Sequence, residues 1–183
     1  IHLLRKALIR AGYPQVPVIS LNLSGLEKNP GFKLGINSWR RIIYSMIYGD
    51  MIMLLANQCR PYEVEKGSTD ALVDSLIERL TEEYKDPKNL RYKKVKENLE
   101  KIAAEFAKIK VVHTEKIRVG IVGEIYIKYS ALGNNNLEKF LLSEGVEAVV
   151  PGLMDFAIFK VDNRVEDASF TADNTLKRPS AWR

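Results

Sequence analysis

The run Ile117-Arg-Val-Gly-Ile-Val-Gly-Glu-Ile-Tyr-Ile127 constrains the fold more than any other stretch of the sequence. It is apolar almost without a break and closes on a polar turn, as a strand covered on both faces of a parallel sheet does. Asn134-Asn-Asn-Leu-Glu138 opens a helix that runs to about Ser143 and closes on Gly145. Val146-Glu-Ala-Val-Val150 follows as the next strand. Residues 117–150 thus read as one βαβ unit, for which a right-handed crossover is expected. Val16 to Leu23, entered through Pro17, is a third candidate strand. The expected fold class is α/β: a Rossmann-like, mostly parallel sheet flanked by helices.

The remaining periodic segments read as helices. Residues 2–11 carry Leu3, Leu4, Ala7 and Leu8 on one face, with Gly12 at the C-terminal cap position. Asn37-Ser38 begins a helix over 39–58 that is apolar around most of its circumference, so it belongs between layers or against a partner. A third helix over 70–84 follows Ser68 or Thr69 as cap, and a fourth covers 90–108. One α/β domain is expected over 1–160, with residues 39–108 as a helical insertion. Residues 161–183 read as an irregular polar tail. The opening Ile1-His-Leu-Leu reads as the middle of an amphipathic helix, and the chain is expected to be a piece of a longer protein.

Charge and cysteine content narrow the partners. A formal net charge of +5 permits an anionic ligand without demanding nucleic acid. The lysine run at 85–110 reads as a solvated helix face without interleaved exposed aromatics, so nucleic acid is not expected. No apolar run approaches about 18 residues, and no membrane span is expected. The single cysteine, Cys59, makes no internal disulfide and holds no zinc or iron–sulfur group alone. It fits a reducing, cytoplasmic compartment.

Candidate ligand residues collect where the strands end, the edge at which open α/β sheets bind ligands. They are Gly123, Tyr126, Ser130, Gly133, Asn134, Asn135 and Asn136 after the first strand, Asp155 after the next, and Ser20, Asn22 and Ser24 after the strand at 16–23. Glycines admit close approach, and a helix start after Gly133 would favour an anion. Glu124 is the one carboxylate suited to acid–base work. Each has a structural alternative: glycines packing on a helix, asparagines capping it, small polar residues forming turns, Glu124 in a salt bridge. The Gly-Ile-Val-Gly stretch lacks the third glycine of a dinucleotide fingerprint.

Three stretches resemble one family: Val18-Ile-Ser-Leu-Asn-Leu-Ser-Gly-Leu-Glu-Lys-Asn-Pro-Gly-Phe32, Ala56 to Lys66 with Arg60-Pro-Tyr-Glu63, and Arg118 to Tyr129 continuing through Gly133-Asn-Asn-Asn-Leu-Glu138 to Val150-Pro-Gly-Leu-Met-Asp-Phe156. The family is the 2-hydroxyacyl-CoA dehydratase type, in the dehydratase-like part of large CoA-substrate-specific enzyme activases, the 2-hydroxyglutaryl-CoA dehydratase activator-like proteins. The resemblance covers roughly residues 1–160. It implies a Rossmann-like domain, an acyl-CoA ligand, a 4Fe-4S cluster held by cysteines, and an ATP-hydrolysing activator that supplies an electron. One cysteine and no ATP-binding motif leave this piece as a half-site. The expected role is therefore acyl-CoA binding or docking, onto other domains of the parent chain, a dehydratase subunit or a second copy. A non-catalytic interaction scaffold is the alternative.

Overall fold

The computed structural model describes residues 2–18, 35–112 and 114–170. The chain divides into two compact units, Ile1–Ile36 and Asn37–Arg183. The domain expected over 1–160 takes in residues of both units. The expected strand at 16–23, with Ser20, Asn22 and Ser24, falls almost entirely outside the described residues.

In the first unit, α1 spans His2–Arg10. Its end is a Schellman motif: Gly12, at φ 85°, donates to Ile9 O, and Tyr13 donates to Leu8 O at 2.9 Å. That is the stop expected at Gly12. Leu3, Leu4 and Ile9 of α1 are exposed.

In the second unit, α2 spans Ile36–Cys59, α3 Ser68–Glu83 and α4 Tyr92–Phe106, with a 3₁₀ turn at Pro87–Leu90 before α4. Tyr48, Ile52 and Ala56 of α2, spaced one helical turn apart, pack with Leu76 and Leu80 of α3 and Val95, Ile102 and Phe106 of α4. Leu76 and Ile102 are fully buried.

The expected cap of α3 is corrected. Glu63, five residues upstream of Ser68, caps it instead. Its carboxylate accepts from Gly67 N at 2.6 Å, Thr69 N at 2.9 Å and Ser68 Oγ at 3.2 Å. Burial works to raise the Glu63 carboxyl pKa, but hydrogen bonds from Thr69, Gly67 and Ser68 outweigh it and hold the group below its ordinary value.

β1 (Arg118–Gly120) and β2 (Glu147–Val149) pair in parallel, with Val119 opposite Ala148. Between them lie α5 (Ile125–Tyr129) and α6 (Leu137–Ser143), and α7 (Leu153–Phe170) follows β2. The parallel pair supports the α/β reading; among the described residues the sheet has two strands and the chain is mostly helical.

Two expectations fail here. The run at 117–127 is not one strand: it turns at Gly123, at φ 143°, and continues as α5. Apolar composition alone does not separate a buried strand from a short helix. Nor is the chain irregular from residue 161, since α7 continues to Phe170.

A smaller core of Ile121, Ala148 and Val150 lies over the strand pair and takes in Met53 of α2. Asp50, Met53 and Asn57 recur at helical spacing on a second face of α2, and all three contact the strand-bearing half of the unit. α2 is therefore a wall shared by two cores. This is the physical reason for its nearly all-round apolar character. Among the described residues no helix is long and apolar enough to cross a membrane.

Candidate functional site

The carboxyl edge of the strand pair is built around Asp50. Its Oδ1 accepts from Leu153 N and its Oδ2 from Met154 N, each at 2.7 Å, so the start of α7 is capped from the middle of α2. Negative charge is favoured there by the free N–H groups and the dipole. Tyr129 donates to Pro151 O at 2.6 Å. Burial, with the nearby Asp50 and Asp155 carboxylates, raises the Tyr129 phenol above its ordinary range. Lys128 is 7% exposed, and its ammonium sits 5.3 Å from the Tyr129 ring centroid and 5.5 Å from that of Phe156. It has no carboxylate partner among the described residues.

Glu124 is the N-cap of α5: its Oε1 accepts from Ile127 N at 2.8 Å. The residue expected to do acid–base work thus holds a helix start. Gly133 has a packing reason too. A Cβ there would lie 2.7 Å from the Tyr126 ring and 2.9 Å from Tyr126 O. The Ser130 hydroxyl accepts from Gly133 N at 3.3 Å.

Asn134 donates to Ile127 O at 3.0 Å and accepts from Leu137 N at 3.2 Å, tying α5 to the start of α6. Asn135 and Asn136 take the left-handed conformation, at φ 55° and 56°, which asparagine tolerates better than most residues. α6 has seven residues and begins at Leu137, after these turns.

Asn134 and Asn136 border a cavity of about 270 Å³ between the end of α2 and α6. Pro61, Leu142, Val146 and Ala148 supply apolar lining. On the polar side, Arg60 donates to Asp70 at 2.7 Å and to Asn57 at 2.9 Å, while Asn57 donates to Glu138 at 3.4 Å. Asn136 and Lys139 also line the cavity, and their side chains have no partner among the described residues. Of the residues expected to bind ligand, Asn134 and Asn136 reach this cavity. Gly123, Tyr126, Ser130, Gly133, Asn135 and Asp155 do not line it.

Arg60 and Asn57 at the end of α2 and Lys139 of α6 gave no sequence signal as a set, because the two elements lie about 80 residues apart. The Arg60-Pro-Tyr-Glu63 stretch alone pointed to this corner. From it Tyr62 donates to Glu147 at 2.7 Å, and Arg118 holds the other oxygen of the same carboxylate at 3.0 Å. Glu147 is 7% exposed.

A 4Fe-4S cluster takes four cysteine ligands. Cys59, the single cysteine, packs against the three-helix core, and burial followed by the Glu63 charge raises its thiol pKa. The residues of this chain alone do not fit such a cluster. Comparison with protein-family models, curated proteins and solved structures returns no match to this chain.

Proposed function

We propose that this chain is a Rossmann-like, dehydratase-type domain of the 2-hydroxyacyl-CoA dehydratase and CoA-substrate-specific activase system. Its role is to bind part of an acyl-CoA rather than to carry out the reaction. The observation that carries this reading is the cavity with an apolar wall beside the uncommitted Asn136 and Lys139. Its volume lies just under the roughly 300–1,000 Å³ of small-molecule sites, which suits one end of a long ligand. The commitment of Glu124 to capping α5 favours binding over catalysis.

Isothermal titration of the protein with an acyl-CoA and with the matching acyl-pantetheine tests it. Heat is expected with acyl-CoA. Lys139→Ala is expected to weaken binding about tenfold, the cost of losing one hydrogen bond to a charged group, and Glu124→Gln to leave it unchanged. No heat with either ligand overturns the proposal.

A second reading, docking onto a dehydratase subunit or a second copy, is favoured by the exposed Val122, Leu132 and Phe140 around α5 and α6. Sedimentation of the protein alone and with a dehydratase subunit tests it. A species that stays monomeric in both, at concentrations well above micromolar, removes it.

A further inference from the structure

We propose that the basic end formed by the Pro87–Leu90 turn and the first turns of α4 binds single-stranded nucleic acid. Phosphates would lie on Lys88, Arg91, Lys93 and Lys96, and a base would stack on Tyr92.

Residues 85–110 hold nine Lys or Arg against four Asp or Glu, a surplus equal to the whole net charge of +5. The rest of the chain sums to neutral, although residues 1–50 carry an equal basic surplus. Elsewhere in this unit Arg60 pairs with Asp70, Arg79 with Glu105 and Arg118 with Glu147, while Lys128 and Lys139 have no carboxylate partner among the described residues. In the basic segment Lys85 pairs with Glu82 and Lys94 with Glu97. Among the described residues Lys88, Arg91, Lys93 and Lys96 have no carboxylate within 4.0 Å. No ion pair among the described residues accounts for these four cations. The first turn of α4 contains no acid, and it carries lysines at the helix end whose dipole repels them. Lys93 and Lys96 are also like charges at i,i+3 spacing.

Tyr92 supplies the second, independent observation. It is 75% exposed, between Arg91 and Lys93, while Leu90 takes the buried position at this end of the helix. The lysine-rich segment thus does carry an exposed aromatic, against the sequence expectation. A flat ring amid unpaired cations is the surface that holds a base and its flanking phosphates.

The composition separates this partner from others. Protein interfaces are depleted in lysine, whereas three of these four cations are lysines. Val95, Ile102 and Phe106 of α4 are buried in the core, so α4 has no apolar face here to insert into a membrane, and purely electrostatic lipid binding is what the vesicle control reads. A duplex keeps its base faces stacked away from Tyr92.

Fluorescence anisotropy with a labelled short oligo-dT or oligo-U strand tests the proposal on the intact protein. The controls are a duplex of equal length, heparin, and phosphatidylserine vesicles. The single strand is expected to bind tightest. Its log affinity should fall with log salt at a slope of about −3, since each neutralised phosphate on a single strand contributes about −0.7. Lys93→Gln with Lys96→Gln should reduce that slope by about 1.4 on the same basis. Tyr92→Ala should weaken binding roughly tenfold without changing the slope, and Tyr92→Trp should retain it. These side chains are exposed, and unchanged circular dichroism confirms that the variants fold. The proposal is overturned by no binding, by duplex or heparin binding as tightly as the strand, by affinity indifferent to Tyr92→Ala, or by binding to vesicles alone.

Discussion

Asp50, in the middle of α2, accepts the backbone N–H of Leu153 at 2.7 Å across 103 residues of sequence. With the second bond to Met154 N it fixes the start of α7 against the helix shared by both cores. Asp50→Ala strands two partly buried donors, and it should cost about 2 kcal/mol of stability. Asp50→Asn keeps one acceptor and should cost less. Urea unfolding with an unchanged m-value checks both.

Gly152 makes that contact possible. A Cβ on residue 152 would stand 2.8 Å from Asp50 Oδ2 and 3.3 Å from Asp155 Oδ2. Gly152→Ala should therefore destabilise the protein by roughly 1–3 kcal/mol through overpacking. Most of that loss should vanish in the Asp50→Ala background, because the closest atom is gone. A double-mutant cycle by urea unfolding reads this coupling; additive losses would show that the two residues act separately.

These residues show what the sequence conveyed and what it did not. The stops at Gly12 and Gly145, the long helix 39–58 and its place between layers, and the βαβ order from residue 117 all rest on local pattern, and all were legible. What fails is wherever a distant partner decides. Glu124 looked catalytic because nothing in the string shows Ile127 N lying 2.8 Å from its carboxylate. The caps of α3 and α7 come from Glu63 and Asp50, and neither carries a local capping signature. The strand at 117–127 breaks at Gly123 because apolar residues serve a short helix as well as a strand. The cavity was half legible: Asn134, Asn136 and Lys139 lie within six residues of sequence, but Asn57 and Arg60 meet them only through the fold.

Glu63 makes part of the stability depend on pH. Its folded pKa lies below the ordinary 4.5 because three groups donate to the carboxylate. The stabilisation is complete above the unfolded-state pKa and is lost as pH falls through the depressed folded value. Wild type should therefore exceed Glu63→Gln in urea midpoint at pH 7. The gap should narrow below about pH 4.5, the ordinary carboxyl value, as the wild-type group takes up a proton. A gap that is constant from neutral to acid pH would show that the carboxylate charge contributes nothing.

Lys128 is a buried cation facing two aromatic rings instead of a carboxylate. Ring contact of this kind contributes about 0.5–2 kcal/mol, and desolvation of the ammonium opposes it. Lys128→Met keeps the apolar stem, so its effect should stay within about 1 kcal/mol in either direction. Lys128→Glu puts a buried anion beside the Tyr129 and Phe156 ring faces, and it should cost more than Lys128→Met. Thermal unfolding of the pair reads the difference, and equal melting temperatures would place the Lys128 ammonium fully in solvent.

Gly133 offers a contrast with Gly152. A Cβ at 133 meets the Tyr126 ring at 2.7 Å and Tyr126 O at 2.9 Å. The ring can swing outward because Tyr126 is exposed, but the carbonyl is fixed by α5, where it accepts from Ser130 N. Gly133→Ala should therefore cost roughly 1–3 kcal/mol, as other overpacked sites do. Unlike the Gly152 case, removing the side chain should not rescue it. Tyr126→Ala combined with Gly133→Ala should remain nearly as unstable as Gly133→Ala alone. Recovery in the double variant would mean that the ring, rather than the backbone turn joining α5 to the asparagine run, sets the requirement for glycine.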